Sequence, residues 1–185
     1  GSKADTDAAV SAAKAAFPGW SATPLAERIN VIKKFLDIYK ARAQEMADAM
    51  TTEMGAPLDW SLSEQVGAGS WHTEGFLEAL EHFEFERRYT PKEMHVLDPI
   101  GVVGLITPWN WPMNQICLKV IPALAVGCTM VLKPSEIAPL SGLLFAEMLH
   151  EAGVPAGVFN LVNGDGPGVG TQLSTHPDVA MISFT

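Results

Sequence analysis

Val102-Val103-Gly104-Leu105-Ile106-Thr107-Pro108-Trp109-Asn110-Trp111-Pro112 falls into two parts at Thr107. The first is a short apolar run without alternation, as expected of a strand covered on both faces. The second is a turn in which two prolines fix the backbone around Trp109, Asn110 and Trp111. The same rhythm recurs downstream: 129–132, 158–162 and 179–184 are β-branched or apolar runs, and 113–124, 141–151 and 168–174 between them are helical in character. Strand and helix in alternation predict an α/β fold with a doubly wound, Rossmann-like parallel sheet, whose ligands lie beyond the carboxyl ends of the strands. The segments that follow each strand are therefore the places to look for chemistry.

Toward the N-terminus the pattern is helical. An Ala-rich helix over 6–17 is expected to end at Pro18-Gly19, and Thr23 is placed to cap a second helix with Pro24 at its first position. Leu25, Ile29, Ile32, Leu36 and Tyr39 give that helix one buried stripe, which Met46, Met50 and Met54 extend to Gly55 as core rather than as a ligand surface. A further helix is expected over 59–80. Near Phe83 the period shortens to two: Phe83, Phe85 and Tyr89 alternate with charged residues, Pro91-Lys92 marks a turn, and 94–98 returns as the second strand of a hairpin. Such a ribbon buries little by itself and should lean on another part of the chain or a second subunit.

A chain of 185 residues with 48% hydrophobic and 18% charged residues is long and apolar enough to fold as one ordinary domain. The net charge of −9, with no Lys/Arg cluster, argues against nucleic acid and anionic membrane as partners and favours a small molecule. The longest apolar run, 121–132, is shorter than the roughly 20 residues of a membrane-spanning helix. Gly1-Ser2 reads as a scar of tag cleavage, and no signal segment follows, so the expected location is the cytoplasm. Cys117 and Cys128 are expected to be buried thiols rather than a disulfide or a nucleophile, and the scattered His72, His82, His95, His150 and His176 imply no metal site.

Three segments after strands carry candidate chemistry. In the first, the stiff turn could aim the Asn110 amide at an oxygen that gains negative charge during attack on a carbonyl; the competing reading is a cap for the next helix. In Lys133-Pro134-Ser135-Glu136, an ammonium and a carboxylate across a proline turn suit neighbouring ribose hydroxyls, Lys133 donating and Glu136 accepting; the competing reading is a solvated turn. The third, Asn163-Gly164-Asp165-Gly166-Pro167-Gly168-Val169-Gly170, lets backbone approach a ligand, although Val169 stands where the usual dinucleotide fingerprint needs its third glycine. Those glycines serve equally well as steric punctuation.

Taken in order, Pro99-Ile100-Gly101-Val102-Val103-Gly104, Thr107-Pro108-Trp109-Asn110, Gly127-Cys128-Thr129, Val131-Leu132-Lys133-Pro134-Ser135-Glu136, Glu151-Ala152-Gly153-Val154-Pro155-Ala156-Gly157-Val158-Phe159-Asn160 and Ile182-Ser183-Phe184-Thr185 closely resemble the aldehyde dehydrogenase superfamily. The resemblance runs from about Phe17 and is strongest over 99–185. It implies an N-terminal helical part of the cofactor-binding domain over 1–82, the first part of an oligomerisation ribbon over 83–99, and the parallel core of that domain over 100–185. By the same match Asn110 is the oxyanion-hole asparagine. Thr107, Pro108 and Trp109 stand for backbone contacts on the nicotinamide side, with Ile106 counted among the cofactor-binding residues. Lys133 and Glu136, with Ser135 beside them, hold the adenosine ribose, and Gly166 and Gly170 let the pyrophosphate approach.

The implied cofactor is NAD, with NADP admitted if Glu136 rotates away from a 2′-phosphate. The implied partners are an aldehyde and, at full length, further copies in a homodimer or homotetramer. The implied reaction is thiolate attack on the aldehyde, hydride transfer to NAD(P)+ and hydrolysis of a thioester. Asp165 departs from the apolar or aromatic residue common there, and the chain stops at a core-like strand, before the family's general-base glutamate and nucleophilic cysteine. It is expected to be truncated, without the catalytic domain, and inactive alone. A non-catalytic nucleotide-binding or interaction module, or a CoA-acylating or phosphorylating relative, stays open.

Overall fold

The structure, a computed structural model, describes residues 1–185. Strands β3 (Val102–Ile106), β4 (Thr129–Lys133), β5 (Phe159–Leu161) and β6 (Met181–Phe184) form one parallel sheet in the order β5-β4-β3-β6. From β3 the chain steps outward to β4 and β5, then crosses back to lay β6 on the other side of β3. The reversal makes the carboxyl end of β3 the switch point of an α/β sheet.

Successive residues of each strand feed opposite faces. Val103, Leu105, Met130 and Leu132 join the larger core with α2 (Leu25–Ala41), α3 (Ala43–Met54), α6 (Pro112–Val126) and α7 (Pro139–Glu151). Val102 and Val131 join a smaller core with Val10 and Ala13 of α1 (Lys3–Ala22) and with Leu173 of α8 (Thr171–Thr175). Both faces are covered at β3 and β4, so their unalternating apolar runs are what the architecture needs, whereas the edge strand β6 leaves Met181 and Phe184 exposed. Met46 and Met50 are fully buried core, as the stripe on their helix predicts, and α3 stops at Gly55 with φ 74°.

Between α3 and β3, a short helix α4 (Leu58–Trp60) runs through a π-helical turn, Ser61–Val66, into α5 (Gly67–Leu80), where the sequence predicts one uninterrupted helix. The hairpin of β1 (Glu86–Thr90) and β2 (Glu93–Val96) is antiparallel, with every strand residue exposed. No helix is long and apolar enough to cross a membrane.

Two local expectations fail at the α1–α2 junction. The first helix does not end at Pro18-Gly19 but runs to Ala22, and Thr23 caps its end rather than starting α2: the Thr23 N–H donates to Trp20 O (3.1 Å) and its hydroxyl to Gly19 O (3.0 Å). Packing accounts for the extension. Trp20 is buried and its indole N–H donates to Leu124 O (3.1 Å), while Arg28 Nε donates to Ala125 O (2.9 Å). Both acceptors are last-turn carbonyls of α6, where the helical ladder runs out; Leu124 O accepts besides only from the capping Gly127 N–H (3.2 Å). The junction thus caps α6, with a cation at its negative end. Ser2 is also part of the fold: with Asp5 it forms a capping box at the start of α1.

Replacing Arg28 by Met should lower stability by about 2 kcal/mol, because a buried carbonyl loses a charged donor. Urea denaturation of both proteins checks it; an unchanged midpoint would contradict the capping role.

Candidate functional site

At the carboxyl ends of β3 and β4 the Thr107 N–H, one residue past β3, donates to the carbonyl of Lys133, the last residue of β4 (3.2 Å). That bond places the first turn beside the second. Ile106 ends β3 half-buried, Thr107 is buried, Pro108 half-buried, and Trp109 and Asn110 are exposed. Asn110 does not cap α6: Trp111 holds the cap position, and no side chain bonds to the first-turn N–H groups. The Asn110 carbonyl instead accepts from Gln65 Nε2 (3.0 Å), leaving its amide at the surface.

Lys133 is not a solvated residue. Its side chain is 5% exposed, and the ammonium donates to Glu136 Oε2 (3.1 Å) and Pro134 O (3.2 Å). The Glu136 carboxyl, 55% exposed, is held below the ordinary carboxylate range by its own backbone N–H and then by the hydrogen bond and charge of Lys133. Ser135 is buried with its hydroxyl accepting from Ile137 N–H (3.3 Å), which tightens the same turn.

The glycine-rich segment sorts by the room around each residue. A Cβ at Gly164 would stand 2.4 Å from Val169 Cγ2, and one at Gly168 would stand 2.6 Å from Asp165 Oδ1, so these two glycines serve the turn itself. Gly166 has open space, and Gly170 faces Lys133 Cδ at 3.9 Å from the built Cβ. Asp165 accepts from the Gly168 N–H (2.7 Å) and thereby closes the turn with a carboxylate. The structure brings Thr107, Lys133, Glu136 and Gly170 together; Gly166 lies at the open rim.

On the Trp111 side a cleft of about 330 Å³ is lined by Ser63, Glu64, Trp71, His72, Trp111 and Asn114. His72 Nε2 pairs with Asn114 Oδ1, and Trp60 meets Trp111 edge-on at 5.1 Å between centroids. A larger apolar groove of about 410 Å³, lined by Phe83, Phe85, Leu118 and Met181 among others, runs along α6 over the sheet rather than beyond the strand ends. Met113, in the first turn of α6, is fully buried core. Cys117 and Cys128 are buried free thiols, and burial pushes the Cys117 thiol up to about 12, far from a reactive thiolate. Gln65 was not visible as a site residue: it lies inside a predicted helix, and only the π-helical turn directs it to Asn110.

The family model described as the aldehyde dehydrogenase family matches residues 1–185, and the chain belongs to that family. The 3-succinoylsemialdehyde-pyridine dehydrogenase of a Pseudomonas species is 50% identical over 186 residues, covering 100% of this chain and 39% of that protein. The solved aldehyde dehydrogenase from Bartonella henselae is 55% identical, with a TM-score of 0.96 over 100% of this chain and 39% of its own. A mutant of aldehyde dehydrogenase C from Pseudomonas syringae, solved with NAD+ and octanal, is 48% identical with a TM-score of 0.93, covering 100% of this chain and 38% of its own. The chain therefore spans about 39% of the length of the relatives it matches.

Replacing Lys133 by Met should raise the Glu136 pKa toward the ordinary carboxylate value, since it removes a donor and a charge but leaves the backbone N–H. Because the folded value is the lower one, the pair stabilises the fold above the unfolded value of about 4.3, and that contribution is lost as pH falls through the folded value. A carboxyl-carbon NMR titration checks the shift; identical titrations would contradict the coupling.

Proposed function

We propose that these residues supply the dinucleotide crevice and the oxyanion-stabilising Asn110 of an NAD(P)+-dependent aldehyde dehydrogenase, which oxidises an aldehyde to a carboxylic acid with a cysteine nucleophile lying outside them. The observation that carries the reading is the Thr107–Lys133 rung, which sets the Asn110 turn beside the Lys133–Glu136 pair at the switch point of the sheet. NAD+ and octanal in the Pseudomonas syringae relative support the cofactor and substrate class.

The residues present suit a dinucleotide. Gly166 leaves open room where a side chain would stand, the buried Gly170 brings its backbone against Lys133, Lys133 and Glu136 offer a donor and an acceptor to vicinal hydroxyls, and the buried Thr107 hydroxyl has no partner. Asp165 works against phosphate at the Gly168 N–H, which it already occupies, so the approach falls to Gly166 and Gly170. When bound, the nicotinamide supplies the hydride acceptor. Asn110 donates from its amide to the aldehyde oxygen as charge gathers there, held by a turn with prolines on either side. Ile106, Thr107, Pro108 and Trp109 wall the nicotinamide side. Glu136 accepts from a ribose hydroxyl and disfavours a 2′-phosphate, which makes NAD+ the preferred cofactor and NADP+ the second.

The same reading divides the chain into a helical part of the cofactor domain over 1–82, a ribbon over 83–99 and a parallel core over 100–185. Exposed Met94, Val96 and Leu97 on the ribbon suit assembly into a homodimer or homotetramer. Two buried free thiols suit a reducing cytoplasm.

In the enzyme that carries this chain with the remaining family length, Asn110→Ala should lower kcat by about a hundredfold, the usual result of losing one oxyanion donor, with NAD+ affinity little changed. Steady-state kinetics with fluorescence titration of NAD+ checks it; unchanged turnover would overturn the role of Asn110.

A further inference from the structure

Gln65 is fully buried, a polar amide in a π-helical turn whose other buried residues are Ser61 and Val66. Its Nε2 donates to the Asn110 carbonyl (3.0 Å), and its Oε1 has no partner. A buried amide with one atom unpaired is costly, and an apolar residue of similar size would fill the same space without that cost. The orientation of the amide is fixed by chemistry: its neighbour is a carbonyl, so the NH₂ group must face it.

The turn that carries Gln65 is itself pinned. The Tyr39 hydroxyl donates to Val66 O (2.9 Å), and the Thr51 hydroxyl donates to the Ser61 hydroxyl (3.0 Å), so both ends of the π-helical turn are bonded to neighbouring helices. The close approach behind it is enforced at Gly69, where a Cβ would come 2.4 Å from the Tyr39 hydroxyl. Insertions of this kind rotate the residues that follow by about a fourth of a turn against the regular helix, and they recur where a side chain must be re-aimed. On the other side of the bond, Asn110 lies between Pro108 and Pro112 with its own side chain at the surface. Its main-chain carbonyl is thus the handle by which the core holds this turn.

We infer that Gln65 is a positioning residue: by holding the Asn110 carbonyl it fixes the peptide plane that follows the Asn110 α-carbon, and with it the direction in which the catalytic amide points. This deepens the proposed function and rests on the catalytic reading of Asn110. Gln65 touches neither aldehyde nor cofactor. Its effect reaches the reaction only through Asn110.

The test uses the full-length enzyme. Gln65→Met keeps the volume and removes the donor; kcat should fall about tenfold, the scale of one buried hydrogen bond, while KM for NAD+ and the melting temperature stay close to those of the unmodified enzyme. On an Asn110→Ala background the same substitution should cost nothing further in kcat, because the group it positions is gone. Gln65→Glu supplies a second readout. A protonated carboxyl can donate to the Asn110 carbonyl and a carboxylate cannot, so kcat relative to the unmodified enzyme should rise as pH falls through the carboxyl pKa, whereas the Gln65→Met ratio stays flat. If Asn110→Ala is impaired but Gln65→Met is not, or if Gln65→Met costs the same on both backgrounds, the positioning role is overturned and the reading of Asn110 survives. If Asn110→Ala itself leaves kcat unchanged, it is the proposed function that fails.

Discussion

One backbone hydrogen bond, from the Thr107 N–H to Lys133 O, closes the last pair of the β3–β4 ladder and carries it onto the first residue of the turn after β3. The first residue of the turn is thereby kept in register with the neighbouring strand, as Val162 and Thr185 are after β5 and β6. The Pro108 and Pro112 rings then limit what the following residues can do, so the backbone arrives at Asn110 with few choices left. Everything assigned to the crevice follows from that constraint: the amide turn and the ion-paired turn are neighbours because the sheet keeps them so.

The helices serve this end at a distance. The α1–α2 junction caps α6 through Trp20 and Arg28, and α6 starts directly after the amide turn, so packing at the far end of the helix fixes where its first residues lie. The π-helical turn reaches the same place from the other side. The site is therefore held at three points, by the sheet, by α6 and by Gln65, and the sheet holds it through the backbone of Thr107 and Lys133, which leaves their side chains free of that task. That arrangement is what preorganisation requires, because a donor that must reorient during reaction gives up much of its effect.

The strands were legible in the sequence because an unalternating run such as 102–106 needs no tertiary context, and the ribbon was legible as a hairpin but not in its bounds: of the alternating Phe83, Phe85 and Tyr89 only Tyr89 lies in β1, and the return expected over 94–98 runs Glu93–Val96. The Lys133–Glu136 pair was legible as residue types, but the burial of Lys133 was not, since local sequence says nothing of how much of that side chain the fold covers. The continuation of α1 through Pro18-Gly19 was not legible, because the cause lies 104 positions away in sequence, at the Leu124 carbonyl that Trp20 reaches. Thr23 was misassigned for the same reason, a local cap rule applied to the wrong end of the junction. Gln65 left no mark at all: one extra residue in a helical turn has no signature in composition or period, and only its consequence for direction betrays it.

A crystal structure of the full-length protein with NAD+ bound tests the central claim most directly. The account predicts adenosine ribose hydroxyls within hydrogen-bonding distance of Lys133 Nζ and the Glu136 carboxylate, the pyrophosphate passing Gly166 and Gly170, and the Asn110 amide facing the nicotinamide end with the Thr107–Lys133 bond intact. A dinucleotide seated in the groove along α6, or an Asn110 amide turned away from the nicotinamide, would contradict it.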